Sequence, residues 1–387
     1  MSNSELSTEE VISRLHQSST DHGLPATCYT STAFQELETD TVFRHNWHCL
    51  GRCDEIPDAG DFFTLDFIGE PLLVIRTQTN DVSVLSNVCR HRGMPVASGK
   101  GNTKRLRCPY HAWTYNLDGT LRSAPLVSKE LLDANCNLPV LNSVCWQGFI
   151  FFSLDSDASW PASSLSSLDT HVANYHMDEM HYAFHIEEVW ECNWKSLIEN
   201  FMDGYHLSVV HPQTLHPLTP TSLCKKLPGA DTYTAYAAPY ARTAPERENY
   251  HPDVTETERR QSQLFCVFPS LVASLSADTL VYLSVQPVSD SQVFVKWGIS
   301  SYESDLSKDA LAERIEKWKE INREDHDILQ RLHAGLQSKH FSNGPLARDN
   351  FEGTLRDFHQ FFRQQFSSDH SAQAGSAVAE SPLPKHG

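Results

Sequence analysis

Residues 89–111 contain two short hooks, Cys89-Arg-His91 and Cys108-Pro-Tyr-His111, with sixteen residues between them. This pair constrains the fold more than any other feature. Four metal-seeking side chains must be presented by two tight loops that meet. The chain has ten cysteines in 387 residues, too sparse for a disulfide scaffold, so clustered Cys and His point to metal or catalysis. Two donor sets are open. A structural zinc would take all four residues in one tetrahedron. An iron–sulfur cluster would take the two thiolates on one iron and the two imidazoles on the other. Three features favour the second. Each hook supplies one Cys and one His, so each loop reaches both irons. Gly93 and Pro109 mark tight backbone, from which amides can face sulfide. Met94, Pro95, Trp113 and Tyr115 can shield the cluster.

The surroundings read as β structure. DFFTLDFIG, PLLVIRT and DVSVLSNVC (from 61, 71 and 81) look like strands separated by turns, and WTYNLDGTL carries an Asp-Gly hairpin signal. VCWQGFIFFSL, 144–154, reads as one more buried strand. The Ser/Asp-rich run 155–169 reads as a surface linker and sets a domain boundary. Residues 264–300 alternate like three antiparallel strands. Helical periodicity covers 33–47, 309–336 and 351–366. The first ~20 residues look loose and polar, and 367–387 reads as a low-complexity tail.

Composition narrows function. With 49 acidic against 31 basic residues the net charge is −18, which disfavours nucleic acid and anionic membrane surfaces. No run approaches the ~18–20 apolar residues of a membrane span, and the acidic start does not resemble a targeting peptide, so the expected location is cytoplasmic. No nucleotide fingerprint is present, so any reducing equivalents come from a partner. The remaining cysteines, Cys49-x3-Cys53 and Cys145 among them, read as buried core.

A second cluster lies in NWKSLIENFMDGYHLSVVHPQTL, read as an amphipathic helix from Asn193. It places Asp203, His206 and His211 close together, with Asp203 and His206 at i,i+3 on one helix face. Two His and one carboxylate with open positions opposite form the facial triad of non-haem Fe(II) oxygenases. The carboxylate is either Asp203 or an acid of INREDHDILQRLHAGL, where Glu324, Asp325 and Asp327 are the candidates. The ladder His171, His176, His181, His185 and the stripe His326, His333, His340 read as polar, solvated faces.

C-x-H-R-G followed by C-P-Y-H-x-W resembles the Rieske signature. With the His-rich cluster downstream, the chain resembles the terminal oxygenase (alpha) component of the Rieske non-haem iron oxygenases over roughly residues 25–366. ENFMDGYHLSVVHP is most similar to the choline, carnitine and glycine-betaine monooxygenase group. The resemblance implies an α+β chain: an all-β Rieske [2Fe-2S] domain (45–154) and a helix-grip (START-like) catalytic domain with an antiparallel sheet and flanking helices (155–366). Residues 1–44 would pack on the catalytic domain, and 367–387 would be a disordered tail. The cofactors implied are a [2Fe-2S] cluster on Cys89, His91, Cys108 and His111, and a mononuclear Fe(II) on His206, His211 and Asp325. Asp203 would bridge the two centres across subunits of a homotrimer. The partners implied are an NAD(P)H-dependent flavin or ferredoxin reductase, O2 and a small substrate. The substrate would be a quaternary or methylated amine, hydroxylated or N-demethylated, with Phe265, Phe268, Tyr282 and Trp297 as a possible aromatic cage. The alternatives are hydroxylation of an aromatic ring or aromatic acid, and a Rieske electron carrier without catalysis. An electron carrier has no need of the facial triad in residues 193–366.

Overall fold

The computed structural model describes residues 6–304 and 306–367, so the expected tail lies almost wholly outside the described residues. Two seven-stranded antiparallel sheets organise the chain. The first runs in the order His48–Arg52, Phe149–Ser153, Val140–Trp146, Val82–Ser86, Glu70–Arg76, Asp61–Phe67, Lys100–Asn102. A small three-stranded sheet, Leu106–Arg107, Thr114–Tyr115 and Leu121–Ser123, carries the second hook beside it. The second large sheet runs His181–Trp190, Gln292–Ser301, Thr279–Ser289, Leu271–Leu275, Gln261–Val267, Tyr233–Pro239, Lys225–Lys226. Helices Trp194–Met202, Lys308–Leu336 and Asp349–Gln365 accompany it. This is the expected α+β pairing of an all-β unit with a helix-flanked antiparallel sheet.

Several local expectations are corrected. Residues 144–154 are not one strand but two, Val140–Trp146 and Phe149–Ser153. They are joined at Gln147-Gly148, where both residues have positive φ (50° and 77°), as a tight primed hairpin turn requires. Residues 264–300 hold four strands rather than three, because Pro269 ends Gln261–Val267 before Leu271–Leu275 begins. The linker contains a helix, Ala162–Val172, whose Leu165, Leu168 and Val172 are buried. The supposedly loose start contains helix Thr8–Gln17. Ser7 and Glu10 form a capping box there, and Val11 and Leu15 are fully buried at i,i+4.

The N-terminal segment packs against the second sheet's helices. Lys195 Nζ donates to Glu38 Oε1 at 2.5 Å, with both side chains inaccessible to solvent. A buried pair of this kind adds little net stability, but loss of one partner costs about 3–5 kcal/mol. The two large sheets are joined by polar contacts. Lys296 Nζ reaches Glu55 at 2.8 Å, and buried Arg52 donates to the carbonyls of Met177 and Met180 at 2.8 and 3.0 Å.

Candidate active site

Both hooks are compact turns. Gly93 N–H donates to the Cys89 carbonyl and Ala112 N–H to that of Cys108, at 3.0 and 3.1 Å. Gly93 and Ala112 have φ of 76° and 60°, which turns each chain back sharply. Cys89 and Cys108 are both buried. Burial raises the Cys89 pKa, partly opposed by the Tyr115 hydroxyl 3.2 Å from its sulfur. His91 is exposed and His111 half-buried, with ring centroids 4.6 Å apart, and Trp113 stacks on His91 at 5.1 Å. The donors therefore fall into a buried thiol pair and an outward-facing imidazole pair. Among the described residues, the sets of three donors close enough to share one ion are His206–His211–Asp325 and His176–Glu179–His251. No such set comes from the hooks. Their donors fit a two-iron cluster and not a single zinc.

The second cluster is built differently from the expected continuous helix. Asn193 caps helix Trp194–Met202 by accepting from the Lys195 N–H, and the helix ends at Met202. Asp203 is already extended, and a Cβ on Gly204 would lie 2.6 Å from Cys224 Sγ, so only glycine passes there. A short helix, Leu207–Val210, restarts from His206 and ends at His211. Asp203 and His206 thus meet across a turn and not along a helix face. Asp203 Oδ1 accepts from the backbone N–H of Tyr205 (2.7 Å) and His206 (2.9 Å) and from His206 Nδ1 (2.8 Å).

The long helix supplies the carboxylates. Asp325 Oδ1 is 3.0 Å from His211 Nε2 and 3.7 Å from His206 Nε2, and accepts from Asn200 Nδ2 at 2.8 Å. Glu324 Oε2 takes the other face of His211, 2.7 Å from Nδ1, and accepts from Thr214 Oγ1 at 2.6 Å. Each imidazole is therefore held at Nδ1 by its own carboxylate, and both Nε2 atoms turn toward Asp325. Asp327, the remaining rival, is 63% exposed beside His326 and outside the cluster. Burial depresses the His206 pKa, but Asp203 and Asp325 outweigh it and raise it to about 9. His211 is likewise raised by Asp325 and Glu324 against burial. Such a cluster is built to hold positive charge, and two Nε2 atoms with one carboxylate oxygen are the donors a divalent iron takes.

His206, His211 and Asp325 line one end of a cavity of about 250 Å³. Its walls include Phe201, Leu215, Val272, Val281 and Leu283. The expected cage residues are not there. Alternation along the strands turns Leu264, Val281 and Leu283 to the cavity, while Phe265 and Tyr282 point into core on the other face. Phe268 packs on Phe358 and Phe361, and Trp297 on Phe184. The aromatic residues that line the cavity are Phe201, Tyr236 and Trp318.

Other readings also change. Asn200 and Glu324 act as supports for Asp325 and His211. In sequence Asn200 stands in the His-rich segment and Glu324 beside Asp325, and nothing local marks either as a support. His333 is buried, 6% exposed, and not a solvated position. His176 leaves the polar ladder to meet Glu179 and, from a distant loop, His251. Cys145 is exposed and Cys53 partly so, their sulfurs 2.8 Å apart, in place of the expected buried pair of isolated residues.

Residues 46–142 match the Rieske [2Fe-2S] domain and residues 168–368 the ring hydroxylating alpha subunit (catalytic domain). The glycine betaine monooxygenase oxygenase subunit of Chromohalobacter salexigens is 35% identical over 53% of this chain and 46% of its own length. The carnitine monooxygenase oxygenase subunit of Escherichia coli K12 is 31% identical over 49% and 52%. The matches thus span about half the length of these relatives. A quaternary ammonium Rieske monooxygenase, whose structure bears on carnitine oxidation and inter-subunit electron transfer, superposes with a TM-score of 0.77. It is 20% identical, and the match covers 94% of this chain and 98% of that one. No helix among the described residues is long and apolar enough to cross a membrane. The protein combines a Rieske [2Fe-2S] domain with the catalytic domain that holds a mononuclear iron, and it belongs to the ring-hydroxylating alpha-subunit family of Rieske non-haem iron oxygenases.

Proposed function

We propose that this chain is the terminal component of a monooxygenase acting on a small quaternary or methylated amine, by hydroxylation or oxidative N-demethylation. The observation that carries this reading is the convergence of His206, His211 and Asp325 at one end of a cavity, in a chain that also carries the two hooks. In this reading Cys89, His91, Cys108 and His111 hold the cluster, and His206, His211 and Asp325 hold the iron. Residues 45–154 form the Rieske unit and 155–366 the catalytic unit, with 1–44 packed on the latter. Bound there, the two metal centres would supply electron delivery and O2 activation. The chain itself does the positioning. Asp203 and Glu324 fix the two imidazole rings at Nδ1, so that Nε2 is the free donor of each. Asn200 holds Asp325 by its Oδ1. Phe201, Leu215, Val281 and Leu283 give the cavity apolar walls.

The amine reading is supported by the relatives that act on glycine betaine and carnitine. Trp318, Tyr236 and Phe201 offer a cationic group aromatic faces, each worth roughly 0.5–2 kcal/mol. Asp203 is the bridge from a neighbour's His111 to His206 in a trimer, and a separate NAD(P)H-dependent reductase supplies electrons. A cytoplasmic location fits that dependence. The test is coupled O2 consumption with a surrogate reductase, across methylated amines and aromatic acids, with formaldehyde and hydroxylated product assayed. Coupled uptake confined to the amines is expected. Uptake with aromatic acids alone would favour the second reading, ring hydroxylation, which the description of the matched family itself favours.

A further inference from the structure

The cavity has two chemically different ends. One is the cluster of His206, His211 and Asp325. The other gathers three cationic side chains, Arg247, Arg314 and Lys317, with Asp278 as the carboxylate lining the same end. The long helix Lys308–Leu336 sets the spacing. Arg314, Lys317, Trp318, Ile321 and Asp325 follow one another at helical intervals, and all of them line the cavity. At about 1.5 Å per residue, Lys317 lies ~12 Å and Arg314 ~16 Å along the axis from Asp325. Their side chains lean toward the helix N-terminus, farther still from the cluster.

The charges at this end are incompletely answered. Asp278 is shared between Ser276 Oγ at 2.9 Å and Arg247 at 3.7 Å, and the Arg247 guanidinium also sits over the Tyr240 ring. Arg314 reaches Glu303 at 3.5 Å through Nη2, but its Nη1 is buried without a hydrogen-bond partner. Lys317 forms no ion pair among the described residues. Partial desolvation and the Arg247 charge lower its pKa, against the pull of Asp278 and Glu313. An orphaned buried guanidinium nitrogen is stabilised by a bound anion, and the Lys317 ammonium, exposed at the rim beside another cation, adds unpaired positive charge to the same end.

We propose that Arg247, Arg314 and Lys317 form an anion subsite for a substrate carboxylate, and that its distance from the His206–His211–Asp325 cluster selects a long acid over a short one. This rests on, and sharpens, the amine reading. The substrate is a zwitterion whose methylated nitrogen lies toward the cluster and whose carboxylate lies toward the helix N-terminus. Choline, which has no carboxylate, leaves the subsite empty. Glycine betaine is too short to reach both ends, whereas a trimethylammonio acid with a butanoate or longer backbone spans them.

The subsite can be tested apart from the amine chemistry. Calorimetric titration of the oxidised holoenzyme with straight-chain monocarboxylates, and with primary alcohols of equal length, reads the anion contribution without any nitrogen in the ligand. Acids are expected to bind at least tenfold more tightly than the matching alcohols. That advantage should vanish in Lys317→Met, which keeps the apolar stem, and return in Lys317→Arg. Along a ladder of ω-trimethylammonio carboxylates from acetate to hexanoate, kcat/KM should rise at least tenfold by the butanoate. Equal binding of acid and alcohol, or an acid affinity untouched in Lys317→Met, would overturn the subsite. A kcat/KM that is highest for the acetate would overturn the length rule. Failure of every amine to turn over, with Lys317-dependent acid binding intact, would count against the amine reading and leave the subsite standing.

Discussion

Glu324 Oε2 lies 2.7 Å from His211 Nδ1, on the opposite side of the ring from Asp325, which is 3.0 Å from Nε2. Neighbours in sequence thus take the two ends of one imidazole. Glu324 is also fixed by Thr214 Oγ1 at 2.6 Å. Carboxylates in this position hold ring orientation and raise ligand basicity, and their loss costs about 10–100-fold in metal affinity. Glu324→Gln is therefore expected to lower mononuclear-iron affinity by that factor, measured by competition with a chelator, while the Rieske absorption stays unchanged. An unaltered iron affinity would mean that packing alone holds the His211 ring.

The donors themselves should behave more severely. His206→Ala and His211→Ala are expected to lose the mononuclear iron and keep the coloured cluster, since the two sites share no residue. Asp325→Ala should lose iron more weakly, because both imidazoles remain. Asp327→Ala, altering a side chain 63% exposed and outside the cluster, should change neither. Iron per chain, read alongside the optical and EPR signals of the reduced cluster, checks all four. Asp327→Ala emptying the site would refute this donor set.

Asp203 spends one oxygen inside the chain, on two backbone amides and His206 Nδ1. Among the described residues its other oxygen takes no hydrogen bond, which suits a contact made by another subunit. Asp203→Asn is expected to retain both metals and a normally reducible cluster, yet to oxidise that cluster in a single turnover at least 100-fold more slowly. Normal cluster oxidation with normal iron content would refute the bridge. Loss of iron would instead give Asp203 a role in holding the metal.

Much of this site was legible in the sequence because its chemistry is local. Each hook is a few residues long, and His206 and His211 are five apart, so spacing alone proposes a metal. Only the resemblance sets Asp325 above Glu324 and Asp327, since three acids on four consecutive helical positions point in different directions and sequence does not say which way is inward. The cavity walls are illegible in the sequence for a related reason. Along Gln261–Val267 the aromatic Phe265 and the aliphatic Leu264 occupy opposite faces, and no local signal tells which face meets the long helix. The hairpin at Gln147-Gly148 was hidden by apolar residues on both sides, which read as one buried run. Helix Thr8–Gln17 was hidden by a polar surface broken only by Val11, Ile12 and Leu15.

His48 gives a prediction about stability and pH. It is fully buried at the start of its strand, with Phe43 stacked at 5.2 Å and Phe67 at 4.7 Å. Burial among these rings pushes its pKa down to about 3, against a small opposing contribution from the Phe43 backbone. In the unfolded chain the imidazole titrates near ~6.5. Between those values the unfolded state holds a proton that the native state refuses, so stability falls as pH drops through that window. The slope is about 1.4 kcal/mol per pH unit, and the contribution is flat above the unfolded pKa. His48→Phe keeps an aromatic ring in the pocket and removes the titration. Its stability relative to wild type should therefore grow on acidification, by about 1 kcal/mol between pH 6.5 and 5.5, where the unfolded imidazole passes from half to nearly full protonation. Denaturant unfolding of both proteins at matched pH reads the difference directly and cancels acid effects on the metal centres that the two share. Parallel stability curves across that range would show that the native state accepts the proton at His48 and that burial does not set its pKa.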